Sequence, residues 1–155
     1  TRLKKLDSGE FDGLVLASAG LKRHELGDRI AFETAPEEIF PACGQGILGI
    51  EIREDDSATR DIGMTLQDAK GETAGRAERA LNRHLNGGCQ VPIAAYAIER
   101  DGQLWLRALV GSADCGRLLK AEGVGELDDA ESLGIRVAED LVSQGARELL
   151  AQAGL

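Results

Sequence analysis

The chain has 155 residues, 43% of them hydrophobic and 29% charged, with a formal net charge of −9. That balance belongs to a folded globular protein rather than a disordered one, and the length allows one respectable core or two small ones. No apolar run approaches the ~20 residues that span a bilayer, and the acidity argues against nucleic acid or an anionic membrane as partner.

The charge is unevenly spread. Residues 1–23 carry five Lys/Arg against three acids, a balance of +2, while the remainder carries thirteen basic and twenty-four acidic groups, a balance of −11. The basic end could meet an anion, or form a solvated helix face. Cys43, Cys89 and Cys115 are an odd set without CxxC spacing. Neither a disulfide framework nor a zinc site is indicated, and a reducing, cytoplasmic compartment is expected.

The chain opens at Thr1-Arg2-Leu3 without a methionine, as the middle of a longer protein would. Leu3 and Leu6 predict the last turns of a helix, ended by Asp7-Ser8-Gly9-Glu10. Leu14-Val15-Leu16-Ala17 is a short continuous apolar run that predicts a buried strand of an α/β layer. Ser18-Ala19-Gly20 then leads into a helix, and such a junction of small residues admits an anion near the backbone. Residues 31–46, with Pro36, Pro41, Gly44 and Gly46, read as a connection between bodies. Ile47-Leu48-Gly49-Ile50-Glu51-Ile52 predicts a second strand. The acidic Glu54-Asp55-Asp56 that follows suits a helix N-cap by Asp or Ser better than a metal site.

A domain boundary is expected around residues 69–75. Ala74, Ala77, Ala80, Leu81 and Leu85 recur at helical spacing and predict a helix of about three turns. Two strands follow, over residues 93–98 and 104–110, joined by Arg100-Asp101-Gly102-Gln103, whose Asp-Gly pair is a strong hairpin signal. A third strand is predicted over 117–122. Asp128, with Glu131 three positions on, predicts a capped helix whose core stripe is Ala130, Leu133, Val137, Leu141 and Val142. A last helix over 146–153 follows Gly145. This half reads as a three-stranded antiparallel sheet covered by helices on one face, an α+β domain.

Chemistry concentrates at Leu85-Asn86-Gly87-Gly88-Cys89-Gln90-Val91-Pro92-Ile93. A thiol on a double-glycine loop is accessible, and Arg79, Arg83 and His84 are near in sequence, where positive charge favours the nucleophilic thiolate. The residues alone leave open a plain alternative, a small hydrophobe at a loop. No His/Asp pairing for acyl transfer is visible, since His24 and His84 are the two histidines.

The segment is similar, almost letter for letter, to the cofactor-attachment loop of the porphobilinogen deaminase (hydroxymethylbilane synthase) family. Four further segments carry the resemblance. Thr1-Arg2-Leu3 with Leu6-Asp7, Gly9 and Asp12, then Leu16-Ala17 and Ala19-Gly20-Leu21-Lys22-Arg23, resembles a second-domain segment. Pro41-Ala42-Cys43-Gly44-Gln45-Gly46 with Gly49-Ile50-Glu51 resembles the family's PAxGQGxxGIE signature. Ala77-Glu78-Arg79-Ala80 leads into the cysteine loop, and Leu106-Arg107-Ala108-Leu109-Val110-Gly111 resembles the strand beyond it. Two small departures are Cys43 for a usual Val, and Ala94-Ala95 for a Gly and a small polar residue.

The resemblance implies a transferase that condenses four porphobilinogen units head to tail, with release of ammonia, into hydroxymethylbilane. It implies a dipyrromethane cofactor bound as a thioether to Cys89 and acting as primer. Arg2 and Arg23 would hold the acetate and propionate carboxylates of cofactor and substrate, which a guanidinium does through two parallel hydrogen bonds. Gln45 and Gly46 would line the cleft, while Lys22 reads as a solvated charge. The family's catalytic aspartate lies in a first-domain segment with no counterpart here, so the chain resembles the C-terminal half alone. Residues 1–40 would be the end of a doubly wound α/β domain 2, 41–68 a crossover into domain 1, and 69–155 the complete, cofactor-bearing α+β domain 3. The chain alone is then expected to be inactive, and to pair with the missing N-terminal half or self-associate through exposed strands. The rival expectation is a non-catalytic α+β binding module in which Cys89 stays a free thiol.

Overall fold

A computed structural model describes residues 1–88, 91–112, 114 and 116–152. The chain divides into two compact units, Thr1–Glu38 and Ile39–Leu155.

In the first unit, helix α1 (Arg2–Asp7) stops where predicted. Gly9 takes the left-handed conformation (φ 78°), its N–H donates to Leu6 O and that of Glu10 to Lys5 O. That is the Schellman closure that satisfies the last carbonyls of a helix. The predicted strand at Leu14-Val15-Leu16-Ala17 is not formed: the segment joins no ladder among the described residues. An apolar run specifies burial, not a partner strand, and no other segment of this unit offers one. Val15 is 85% exposed. Leu14 and Leu16 line a cavity of about 410 Å³ with Leu3, Leu6, Leu21 and Phe32. Helix α2 (Ser18–Arg23) begins at Ser18, so the small residues expected to lead into a helix form its first turn instead.

The second unit contains the large core. The strand predicted over residues 47–52 likewise joins no ladder among the described residues, and Leu48 is 91% and Ile50 60% exposed. The acidic cluster resolves as a cap. Asp56 precedes α3 (Ser57–Met64) and accepts from Thr59 N–H at 2.9 Å and Thr59 Oγ1 at 2.7 Å. Helix α4 (Ala69–His84) starts earlier than its apolar stripe, because the Asp68 carboxylate accepts from the N–H groups of Lys70 and Gly71 and so satisfies its first donors.

The sheet runs in the order β1 (Ile93–Arg100), β2 (Gln103–Gly111), β3 (Leu118–Gly125), all antiparallel. Arg100 pairs with Gln103, so the hairpin loop is Asp101-Gly102, both left-handed (φ 53° and 79°), as a two-residue turn on twisted strands requires. Strict alternation buries Ala95, Ala97, Leu104, Leu106, Ala108 and Val110 on the helix-covered face. The third strand outruns its predicted end through Gly123 and Gly125. A Cβ at Gly123 would stand 2.9 Å from Val137 Cγ2, so its bareness is what lets the strand lie against α5 (Ala130–Ser143). The start of α5 also differs from expectation. Asp128 lies inside a 3₁₀ turn (Leu127–Asp129), the N-cap is Asp129, whose carboxylate accepts from Arg136 rather than from the helix N–H groups, and Glu131 reaches Arg83. Of the predicted stripe, Ala130, Leu133, Val137 and Leu141 are fully buried and Val142 partly. Helix α6 (Ala146–Gln152) closes the layer after Gly145 (φ 97°). The architecture is α+β, three antiparallel strands with helices on one face.

Candidate functional site

Helix α4 delivers the chain to the cysteine segment through a second Schellman closure. Asn86, rather than glycine, holds the left-handed position (φ 55°); its N–H donates to Arg83 O at 3.1 Å and that of Gly87 to Asn82 O at 2.8 Å. Asn and Gly are the residues that tolerate this conformation. At Gly87 a Cβ would displace the Asn82 carboxamide, whose Nδ2 donates to Gly87 O at 3.4 Å. Beyond the gap, Val91 N–H donates to Gly88 O at 3.1 Å, and Pro92 O accepts from Gly111 N–H at 2.9 Å. Both ends of the segment are therefore tied to the folded unit. Cys89 and Gln90, and with them the predicted attachment thiol, lie outside the described residues, as does Cys115. Of the nearby cations, Arg83 pairs with Glu131 at 3.0 Å.

The turn that carries Gln45 and Gly46 is fastened to the same helix and sheet. Pro41 O accepts from Ala95 N–H, and Ala42 bridges Ala94 antiparallel. Gly44 and Gly46 are left-handed (φ 73° and 85°), and at either one a Cβ would meet nothing within 4 Å, leaving open space before the turn. Gln45 is exposed, its Oε1 accepts from Ala42 N–H at 3.0 Å, and its own N–H donates back to Ala42 O at 3.0 Å. Below them lies Glu78, 5% exposed. Its Oε2 accepts from Gly44 N–H at 2.7 Å and its Oε1 from Ala97 N–H at 2.9 Å. Burial pushes its carboxyl above the usual range, opposed by those two N–H donors and by Arg79. Burial likewise pushes the neighbouring Cys43 thiol up to about 11, with a further push from Glu78. Cys43 is thereby held as a neutral, half-buried thiol, unsuited to attack.

Glu78 is the residue that reading by sequence passed over. Its signal was there: a carboxylate beside Ala77 and Leu81, on the buried stripe of α4. Arg107 is a second such residue. Its guanidinium lies 4.2 Å from the Trp105 ring centroid, 5.4 Å from Phe40 and 5.5 Å from Tyr96, so it packs the outer sheet face against the connection at Phe40.

In the first unit, Arg2 opens α1 and Arg23 ends α2, both exposed. Lys22 is paired with Glu33 at 2.7 Å, and this bond, ahead of one from Ser18, holds the Glu33 carboxyl below the usual range. Within the second unit a groove of about 610 Å³ runs between Ile47, Leu48, Ile50 and Ile52 on one side and Met64 and Leu66 on the other, with Arg60 and Arg79 at its walls. No helix among the described residues is long and apolar enough to cross a membrane.

Two family models match the chain in succession. Residues 1–61 match porphobilinogen deaminase, dipyromethane cofactor binding domain. Residues 73–143 match porphobilinogen deaminase, C-terminal domain. Between them they take in the exposed arginines, the Gly44–Gly46 turn, helix α4, the cysteine segment and the sheet, and the chain belongs to the porphobilinogen deaminase family.

Proposed function

We propose that this chain supplies the cofactor-bearing part of a transferase that joins four porphobilinogen units, forming one carbon–carbon bond and releasing one ammonia at each condensation, with water then cleaving the bond to the primer to free hydroxymethylbilane. The reading rests on one observation above the rest: a helix closed by Asn86 and Gly87 hands the chain directly into a cysteine segment anchored at both ends. Cys89 is proposed as the thioether anchor of the dipyrromethane, which when bound supplies the primer for extension. Each unit, taken by itself, carries residues whose chemistry suits such a group. Arg2 and Arg23 present exposed guanidinium groups, which bind carboxylates bidentately. Gly44 and Gly46 leave open the space that side chains would fill, room for a flat ring against backbone. Because the N–H groups of Gly44 and Gln45 are spent within the protein, the turn would meet a pyrrole with its glycine faces and the Gln45 carboxamide.

No carboxylate of these residues takes the place of the family's catalytic aspartate, and the chain alone is proposed to give no turnover. Intact-mass measurement with peptide mapping tests the anchor: a dipyrrole mass increment on the Cys89 peptide, absent in Cys89→Ser, would support it. An increment that persists in Cys89→Ser would sink it, whereas a bare thiol favours the non-catalytic module only weakly, because a chain without turnover does not assemble its own primer. Hydroxymethylbilane made by the purified chain would overturn the proposed inactivity.

A further inference from the structure

Glu78 is a buried carboxylate to which the proposed chemistry assigns nothing, and its surroundings are specific. Each oxygen accepts one backbone N–H, from Gly44 in the turn and from Ala97 in β1. The two donors lie fifty-three residues apart in the chain, so a single side chain of α4 pins the turn and the sheet together. Six residues further along, about 9 Å of helix rise, α4 ends at His84 and passes into the cysteine segment. The turn has few other ties. Its remaining described bonds are internal, between Ala42 and Gln45 and between Gly44 and Ile47, apart from the Pro41–Ala95 and Ala42–Ala94 bridge at its entrance. Charge-assisted bonds to a buried carboxylate are the stronger kind, and a donor left without its partner there is costly.

We propose that Glu78 is a positioning residue for the transferase site: it holds the Gly44-Gln45-Gly46 wall at a set distance from the helix that presents Cys89. This deepens the reading above and rests on it, since it takes Gln45 and Gly46 to line the pyrrole site. Alanine would remove both acceptors. Glutamine keeps one carbonyl oxygen and puts an NH₂ against the second N–H, so it should retain one tie of the two.

Nitrogen-15 NMR on the full chain tests the proposal in two arms. In the first, amide exchange at Gly44 and Ala97 is expected to rise about tenfold in Glu78→Ala, and at one of the two in Glu78→Gln, while Leu106 and Val137 keep their protection. Unchanged exchange at Gly44, or an equal loss of protection throughout the core, would overturn it, the latter marking a merely structural role. In the second arm, porphobilinogen is titrated against the Gln45 and Gly46 signals. The wild-type chain should shift them, and Glu78→Gln should need at least about fivefold more ligand, with Glu78→Ala weaker still. Equal affinity in wild type and Glu78→Gln would sink the role of Glu78 alone. Silence of both signals in the wild-type chain would sink the pyrrole-site reading, and the positioning role with it, even if the exchange arm succeeds.

Discussion

Glu78 sits at 5% exposure between a turn and a strand, and its charge is disfavoured there chiefly by burial. A carboxyl raised in the fold keeps its proton to higher pH in the native state than in the unfolded chain. Its contribution to stability is therefore fully present below the ordinary carboxylate range, and is lost as pH rises through the raised native value. The facing groups are Arg79, whose charge opposes the rise, and Cys43, whose own thiol is pushed up to about 11. Urea unfolding between mild acid and neutrality is expected to show the wild-type chain losing stability relative to Glu78→Gln as pH rises. A difference that is flat with pH, or that moves the other way, would show that the N–H bonds outweigh burial. Asp56 behaves oppositely: bonds from Thr59 hold its carboxyl low, so its cap is lost as pH falls.

At the scale of elements, α4 and α5 meet backbone against backbone at Gly134. A Cβ at Gly134 would overlap the Ala77 carbonyl oxygen and stand 2.8 Å from Ala80 Cβ and 3.0 Å from Leu81 N. The obstacles are helix backbone and a methyl group, which cannot rotate away, so the helices would have to separate. Gly134→Ala is expected to destabilise the unit by about 1–3 kcal/mol despite alanine's better helix propensity. Chemical unfolding would measure it; a neutral or stabilising result would mean that α5 shifts freely. Gly87 makes the contrasting case, because the Asn82 carboxamide that it faces is the movable end of a side chain.

For the whole molecule, the contrast is between a closed core in Ile39–Leu155 and apolar segments left outside it. Leu48 is 91% exposed, Leu66 70%, Ile62 67% and Ile50 60%, and residues 47–52 join no ladder among the described residues. Exposed apolar groups beside unpaired backbone favour association. Light scattering is expected to show average mass rising with concentration, and Leu48→Asp should reduce the rise. A monomer at every concentration would count against this.

Much of the α+β fold was legible residue by residue. Alternation over 93–98 and 104–110 set the buried face of the sheet, Asp101-Gly102 set the hairpin, and the stripe from Ala130 to Leu141 set α5, because these are local periodicities that a neighbouring layer only has to accept. The cysteine loop and the PACGQG turn were legible as motifs, and the family followed from their order along the chain. What required the tertiary structure was pairing. Two apolar runs, 14–17 and 47–52, have the composition of strands and find none to join among the described residues, since a ladder needs a second strand that a single run cannot specify. Glu78 in α4 and Gly44 in the turn, thirty-four residues apart, meet through one hydrogen bond because the fold lays α4 against β1. The sequence by itself determined the periodic elements and the family. The tertiary structure decided which buried charge ties the candidate site together, because that depends on contacts between segments distant in the chain.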